Sequence, residues 1–260
     1  MSLCISYDST FDGFLSAVFE IYSQHLDVES FLPDRDTETV ADLFQQNFRV
    51  ETNEDSAMRL RRAIVNYASE EVLSMLSTAF LSEEAGVEMQ ILAFLRKLFA
   101  GNDPNFGKNI ASMEMLPLYK LAGSVRREAG GMLGLVRFSK APGNFYVARI
   151  EPKYDILLLL ESHFSNRFAN GKWVIYDAKR RYALLHERVG ECRVVDVPDD
   201  AALVKAINTD DFTQLWQDYY KSIAIKEREN PRLLRRCLPV RYWKNLPERQ
   251  GSIAACTPAR

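Results

Sequence analysis

REAGGMLGLVRFSKAPGNFYVAR, residues Arg127 to Arg149, decides how this chain of 260 residues is read. A helix enters it, meets Gly130 and Gly131, and is expected to fray or end there, because each glycine costs about 1 kcal/mol of helix propensity relative to alanine. Leu133–Phe138 and Asn144–Ile150 then alternate apolar and polar residues as two strands around the turn SKAPGN. Residues two apart on a strand share a face. Arg137 is therefore expected beside Leu133 and Leu135, and Arg149 beside Phe145 and Val147. One reading of that surface is a sheet face presenting Arg and aromatic groups to bases or backbone. The other is a core face with Arg snorkelling at its edge.

Downstream, Pro152 and Asp155 open a helix through Phe168, with Ile156, Leu159, Leu160, Phe164 and Phe168 toward the core. Lys172–Tyr176, Tyr182–His186 and Cys192–Val195 read as three more strands. The order strand–strand–helix–strand–strand–strand predicts an α+β fold with an antiparallel sheet and helices on one face; a doubly wound parallel sheet needs a helix after nearly every strand. A short helix at 201–207 follows. Thr209 and Asp210 lead into a long helix whose Phe212, Leu215, Trp216, Tyr219, Tyr220 and Ile223 form a stripe expected to be buried. Asn230-Pro231 restarts a helix as cap and first helical residue.

Upstream, the sheet is expected to pack against a mostly helical region. LCISY (Leu3–Tyr7) reads as a strand, expected to join a sheet built mostly from the later half. Asp8, Ser9 or Thr10 caps a helix carrying Phe11, Phe14, Leu15, Val18, Phe19 and Tyr22. Helices follow at 55–68, at 69–80 with Ser69 as cap, and at 83–99 with Gly101 closing it. Arg59, Arg61 and Arg62 read as a solvated face or as partners of nearby acids. GNDPNFGKN is turn chemistry and marks the lobe boundary. The expected layout is an acidic lobe at 1–108, an α+β lobe at 109–249 and a loose tail at 250–260, with one compact domain as the alternative.

The net charge of −2 hides segregation: residues 1–119 carry −11, 120–185 carry +7, 186–220 carry −5 and 221–260 carry +7. Such blocks can build a basic face that attracts phosphate backbones, or can simply attract each other. Cys4, Cys192, Cys237 and Cys256 form no CxxC, and the three histidines fall at no ligand spacing, so no metal or cofactor is expected. Scattered cysteines, no signal-peptide pattern and no apolar run near 20 residues point to a cytoplasmic, non-membrane protein. Phosphate-loop, HExxH, GxSxG and zinc-deaminase patterns are absent.

Three residues remain as weak catalytic candidates. His163 lies one turn before Arg167, so both can point at one phosphate or base, but a helix histidine hydrogen-bonded at the sheet edge is the more usual reading. Asp177 ends a strand before a basic turn, where Asp commonly does turn chemistry. Glu128 beside Arg126 and Arg127 reads as a solvated ion pair worth little.

Four segments in chain order carry a resemblance: Tyr7–Tyr22, Val125–Phe138, Phe145–Arg180 and Leu215–Glu248. They resemble a bacterial domain-of-unknown-function family linked to radical-SAM proteins and described as acting in DNA metabolism or repair, with relatives fused to uracil-DNA-glycosylase-like domains. Its central motif runs Arg-Glu-Ala-His, a basic residue, Met, then a strand ending Arg-Phe. Here Gly130 and Gly131 stand in place of the His and the basic residue, so no role of that His carries over. The resemblance implies a DNA-binding accessory protein beside a radical-SAM partner that holds the chemistry. Candidate nucleic-acid contacts are Arg126, Arg127, Arg137, Arg149, His163, Arg167, Lys179, Arg180, Arg181, Arg235 and Arg236. The alternatives are a metal-independent glycosylase- or nuclease-like enzyme using Glu128, His163 or Asp177, and a protein–protein adaptor that binds no nucleic acid.

Overall fold

The computed structural model describes residues 3–34, 46–101, 105–141, 143–188, 190–208, 212–225 and 228–252. Thr209, Asp210 and the tail beyond 252 lie outside them. The chain forms two compact units, Met1–Arg126 and Arg127–Arg260. The division falls within a helix rather than in GNDPNFGKN.

The first unit begins with β1 (Leu3–Tyr7), α1 (Phe11–Gln24), β2 (Val28–Pro33) and β3 (Gln46–Arg49). These strands form a parallel sheet of order β2-β1-β3. β1 therefore does not join the later strands, as its sequence suggested; it is the centre of a sheet of its own. The physical reason is burial on both faces: Cys4, Ile5, Ser6 and Tyr7 are all buried, the condition that makes parallel strands near-continuously apolar. Thr10 caps α1 by accepting from the Gly13 N–H at 2.9 Å. α2 (Glu54–Tyr67), α3 (Glu70–Phe80) and α4 (Val87–Ala100) follow, capped by Asn53, Ser69 and a left-handed Gly101. Phe14, Leu15 and Val18 of α1 share one core with Ile64, Leu76, Ile91 and Leu95. The Tyr7 hydroxyl, inside that core, donates to the equally buried Glu88 at 2.9 Å.

α5 (Met115–Leu133) crosses the division. It does not end at Gly130-Gly131. Ala129 and Met132 on either side of the pair are buried, and anchoring them outweighs the propensity lost at two glycines. The helix closes instead through hydrogen bonds from the N–H groups of Leu135 and Val136 to the Met132 carbonyl. Leu133 thus belongs to the helix and Leu135 to the turn, not to a strand.

The second unit holds β4 (Phe138–Ala141), β5 (Phe145–Ile150), α6 (Leu157–Arg167), β6 (Lys172–Asp177), β7 (Tyr182–Arg188), β8 (Glu191–Asp196), α7 (Ala201–Asn208), α8 (Phe212–Ile223) and α9 (Pro231–Cys237). It is α+β, with sheet order β4-β5-β6-β7-β8. All pairs are antiparallel except β5/β6, which is parallel and bridged by α6. Helices cover both faces of this sheet, not one. Phe164 of α6 packs on Phe138 and Trp173. Leu203 and Ile207 of α7 pack on Val147, Val174, Tyr176 and Ala183. The stripe on α8 is not buried: Leu215, Tyr219 and Ile223 are each more than half exposed, and Trp216 is partly so. Asn230 caps α9 by accepting from the Leu233 N–H, with Pro231 at its first position.

Candidate nucleic-acid interface

The pairing Tyr146↔Trp173 and Phe138↔Ala148 places Phe138, Tyr146 and Trp173 on one face of the sheet, the α6 face. Beyond the last turn of α6 the chain turns through Phe168–Gly171 and re-enters the sheet at Lys172, just before Trp173. Together these residues line a cavity of about 560 Å³ whose walls are Phe138, Tyr146, Phe168 and Trp173, with Asn166, Arg167 and Asn170 at the polar side. Phe138 meets Phe168 edge-on at 5.3 Å between centroids, a favourable aromatic geometry. Arg167 sits 5.7 Å from the Phe168 ring centroid, at a helix C-terminus, where a cation complements the dipole.

The floor is rigid. Trp173 stacks on His186 at 5.0 Å and 3°, and His186 Nδ1 lies 3.0 Å from the Gly171 carbonyl. Both residues are about 1% exposed, and neither Trp173 Nε1 nor His186 Nε2 has a partner. His163, one turn before Arg167, packs its ring edge-on to Phe164 at 5.0 Å. The arrangement suits a planar heteroaromatic group: π-faces for stacking, amides and a guanidinium for its polar edge.

The opposite, α7 face carries a second pocket of about 280 Å³, lined by Arg137, Ser139, Arg149, Lys244 and Asn245, with Val204 and Ile207 as its apolar part. Arg137 donates to the Gly134 carbonyl and to Glu248, each at 2.8 Å, and lies 5.6 Å from the Trp216 ring centroid. Arg149 donates to Asn245 at 3.1 Å and pairs with Glu151 at 2.8 Å. Lys244 also pairs with Glu151. Burial tends to raise the Glu248 carboxyl, but its hydrogen bonds from its own backbone N–H, Trp216 and Arg137 outweigh that and hold it below the ordinary carboxylate value. Arg149 shares its face with Phe145 and Val147, while Phe138 and Tyr146 point to the other side of the sheet. Adjacent strand residues point to opposite sides.

Glu128 is no solvated ion pair. Its side chain is 5% exposed. It accepts from the backbone N–H groups of Lys153 and Tyr154 at 2.9 and 2.8 Å, from Arg241 at 3.2 Å and from the Tyr242 hydroxyl. Tyr242 is pushed up to about 12, by burial first and by that bond next. Asp177, wholly buried, accepts from the backbone N–H groups of Lys179 and Arg180 and from the Arg180 guanidinium at 2.8 Å. Burial pushes its carboxyl up, and Arg180 draws it only part of the way back. Lys179 and Arg180 both donate to the Lys153 carbonyl. Glu128 and Asp177 thus brace the same 153–154 turn from two sides, while His163 stands apart on α6. Arg127, Arg181, Arg235 and Arg236 are exposed in the second unit, and Arg126 is exposed in the first.

Phe168, Trp173, Asn166 and Asn170 were not singled out from sequence as site residues, nor were Lys244, Asn245 and Glu248. The parity of the β4–β5 hairpin signals the first group's face. Nothing local marks the second group, which comes from more than ninety residues away. Among the described residues no three His, Cys, Asp or Glu side chains cluster as a metal site, and no helix is long and apolar enough to cross a membrane.

A family model for a domain of unknown function, DUF4130, matches residues 85–248, more than half of the chain. The chain belongs to this family. The DUF4130 region takes in every residue of both pockets and the whole five-stranded sheet. No curated protein matches the chain.

Proposed function

We propose that this DUF4130 protein binds nucleic acid through its second unit, taking an unstacked base into the aromatic cavity on the α6 face. The observation that carries this is four aromatic walls around about 560 Å³ with Arg167 at the mouth. Stacking of a base on such a ring is worth about 1–3 kcal/mol, and the exposed Arg127, Arg181, Arg235 and Arg236 supply positive charge for the backbone. In this reading the protein is a cytoplasmic accessory to a radical-SAM partner in DNA repair or modification, the role implied by the resemblance. Catalysis by Glu128 or Asp177 has no support, since each is consumed by backbone hydrogen bonds.

Fluorescence anisotropy with single- and double-stranded oligonucleotides tests the reading. Single strands should bind more tightly, with affinity falling steeply as salt rises. Tyr146→Ala and Phe168→Ala should each weaken binding about 5- to 150-fold, the range set by one lost stacking contact. No binding in low salt, or binding untouched by both substitutions, refutes it. A second reading, a protein adaptor, is favoured by the exposed Leu215, Tyr219 and Ile223 on α8. Loss of binding to a purified radical-SAM partner on Leu215→Asp, with no oligonucleotide binding by the intact protein, would select it.

A further inference from the structure

We propose that the pocket on the α7 face is a seat for a phosphate monoester, separate from the aromatic cavity on the other side of the sheet. Arg137, Arg149 and Lys244 all line it, together with the buried Ser139 hydroxyl and the Asn245 amide. The carboxylates that pair with these cations, Glu151 and Glu248, are not part of the lining. Three cationic residues thus line one void, and the two carboxylates paired with them lie outside its lining.

The sheet register sharpens the point. Phe138 pairs with Ala148, and Arg137, just before β4, and Arg149, just after Ala148, both line the pocket. Like charges brought to one void repel each other. Here the two guanidiniums are also partly buried, and the Nε of each is buried without a partner. Buried unpaired donors are costly and call for an explanation. An oxyanion in the pocket supplies one: it offsets the repulsion between the two guanidiniums, and guanidinium forks match its geometry.

Size selects the group. A volume of about 280 Å³ lies just under the range of roughly 300–1,000 Å³ typical of whole-ligand cavities. It admits a phosphoryl group and the first atoms of its substituent rather than an entire nucleotide. Val204 and Ile207 offer that substituent an apolar wall. The phosphoryl group has two possible sources, a small phosphorylated molecule or the terminal phosphate of a nucleic-acid strand, and both present the same dianion.

Isothermal titration of the full chain with inorganic phosphate, against sodium chloride at matched ionic strength, tests the seat. Saturable phosphate binding is expected, at least tenfold weaker in Arg149→Gln and in Lys244→Met, and unchanged in Tyr146→Ala. Lys244 is half exposed, so Lys244→Met decides the matter should Arg149→Gln fail to fold. A response equal to that of chloride, or phosphate binding unaltered in Lys244→Met, overturns the proposal. Competition by 5′-phosphorylated and 5′-hydroxyl oligonucleotides then separates the sources. Preference for the phosphorylated strand assigns a strand end, and no preference with phosphate binding intact assigns a small phosphorylated molecule. Failure of oligonucleotide binding with phosphate binding retained refutes the nucleic-acid reading and leaves the seat standing.

Discussion

Replacing Glu128 by alanine removes the acceptor for two backbone N–H groups, one tyrosine hydroxyl and one guanidinium. The guanidinium belongs to Arg241, which is half exposed, so its share is below about 1 kcal/mol. The other three are bonds to a charged acceptor, each worth about 1.5–3 kcal/mol. They are not independent, because freeing the 153–154 turn lets water reach its N–H groups. A net loss of about 3–5 kcal/mol follows, the range for breaking a buried charged network from one side. Glu128→Gln keeps one acceptor oxygen but turns an amide NH₂ toward a backbone N–H, and is expected to cost about 2 kcal/mol. Urea unfolding followed by far-ultraviolet circular dichroism measures both. Scanning calorimetry should show a downward shift of roughly 10–20 °C in the transition of the second unit for the alanine variant. In a double-mutant cycle with Tyr242→Phe the two losses should fall short of additivity by about 1 kcal/mol or more. A loss under 1 kcal/mol with an unchanged denaturant slope is what a solvated ion pair would give, and it would refute this account of Glu128.

The Glu248 carboxyl lies below its ordinary value of 4.5 in the folded chain, so its contribution is complete above that pH and is lost as pH falls through the folded value; Glu248→Gln should flatten the stability profile below about pH 4.5, and an unchanged acid limb would count against the Arg137–Glu248–Trp216 arrangement. Gly13→Ala sets a Cβ 2.0 Å from Asp8 Oδ1, in the cap of α1, and is expected to cost about 1–3 kcal/mol by overpacking; neutrality in urea unfolding would show that the cap yields. Gly130→Ala meets nothing within 4 Å and should stabilise α5 by up to about 1 kcal/mol; destabilisation would mean that the glycine serves something other than the helix.

Local chemistry made most elements legible. Thr10, Ser69 and Asn230 cap helices as their residue types imply, and the SKAPGN turn closes with Gly143 and Asn144 both at positive φ, as a short hairpin requires. What local chemistry misses is the choice between partners. LCISY is a strand whichever sheet it joins, and its parallel neighbours come from β2 and β3, in a stretch that reads as acidic and Pro-interrupted. The Gly130-Gly131 pair marks a weak helix, yet the burial of Ala129 and Met132 carries α5 through it. The α8 stripe has the right spacing for a core face and lacks a surface to cover it among the described residues.

The candidate site shows the same division more sharply. The sequence offers Arg137, Phe138, Phe145, Tyr146 and Arg149 as basic and aromatic residues of one hairpin region. Their separation follows from parity alone: odd-numbered positions on these two strands face α7 and even-numbered positions face α6, given the pairing Phe138↔Ala148. The hairpin therefore presents two surfaces: Phe138, Lys140 and Tyr146 on the α6 side, and Phe145 and Arg149 on the α7 side. That partition gives the two sides different expected losses. A substitution at Tyr146 should reach bases and leave phosphate binding alone, and one at Arg149 should do the reverse. A mixed surface would lose both functions together on either substitution, so titrating each variant with phosphate and with an oligonucleotide decides between the two arrangements.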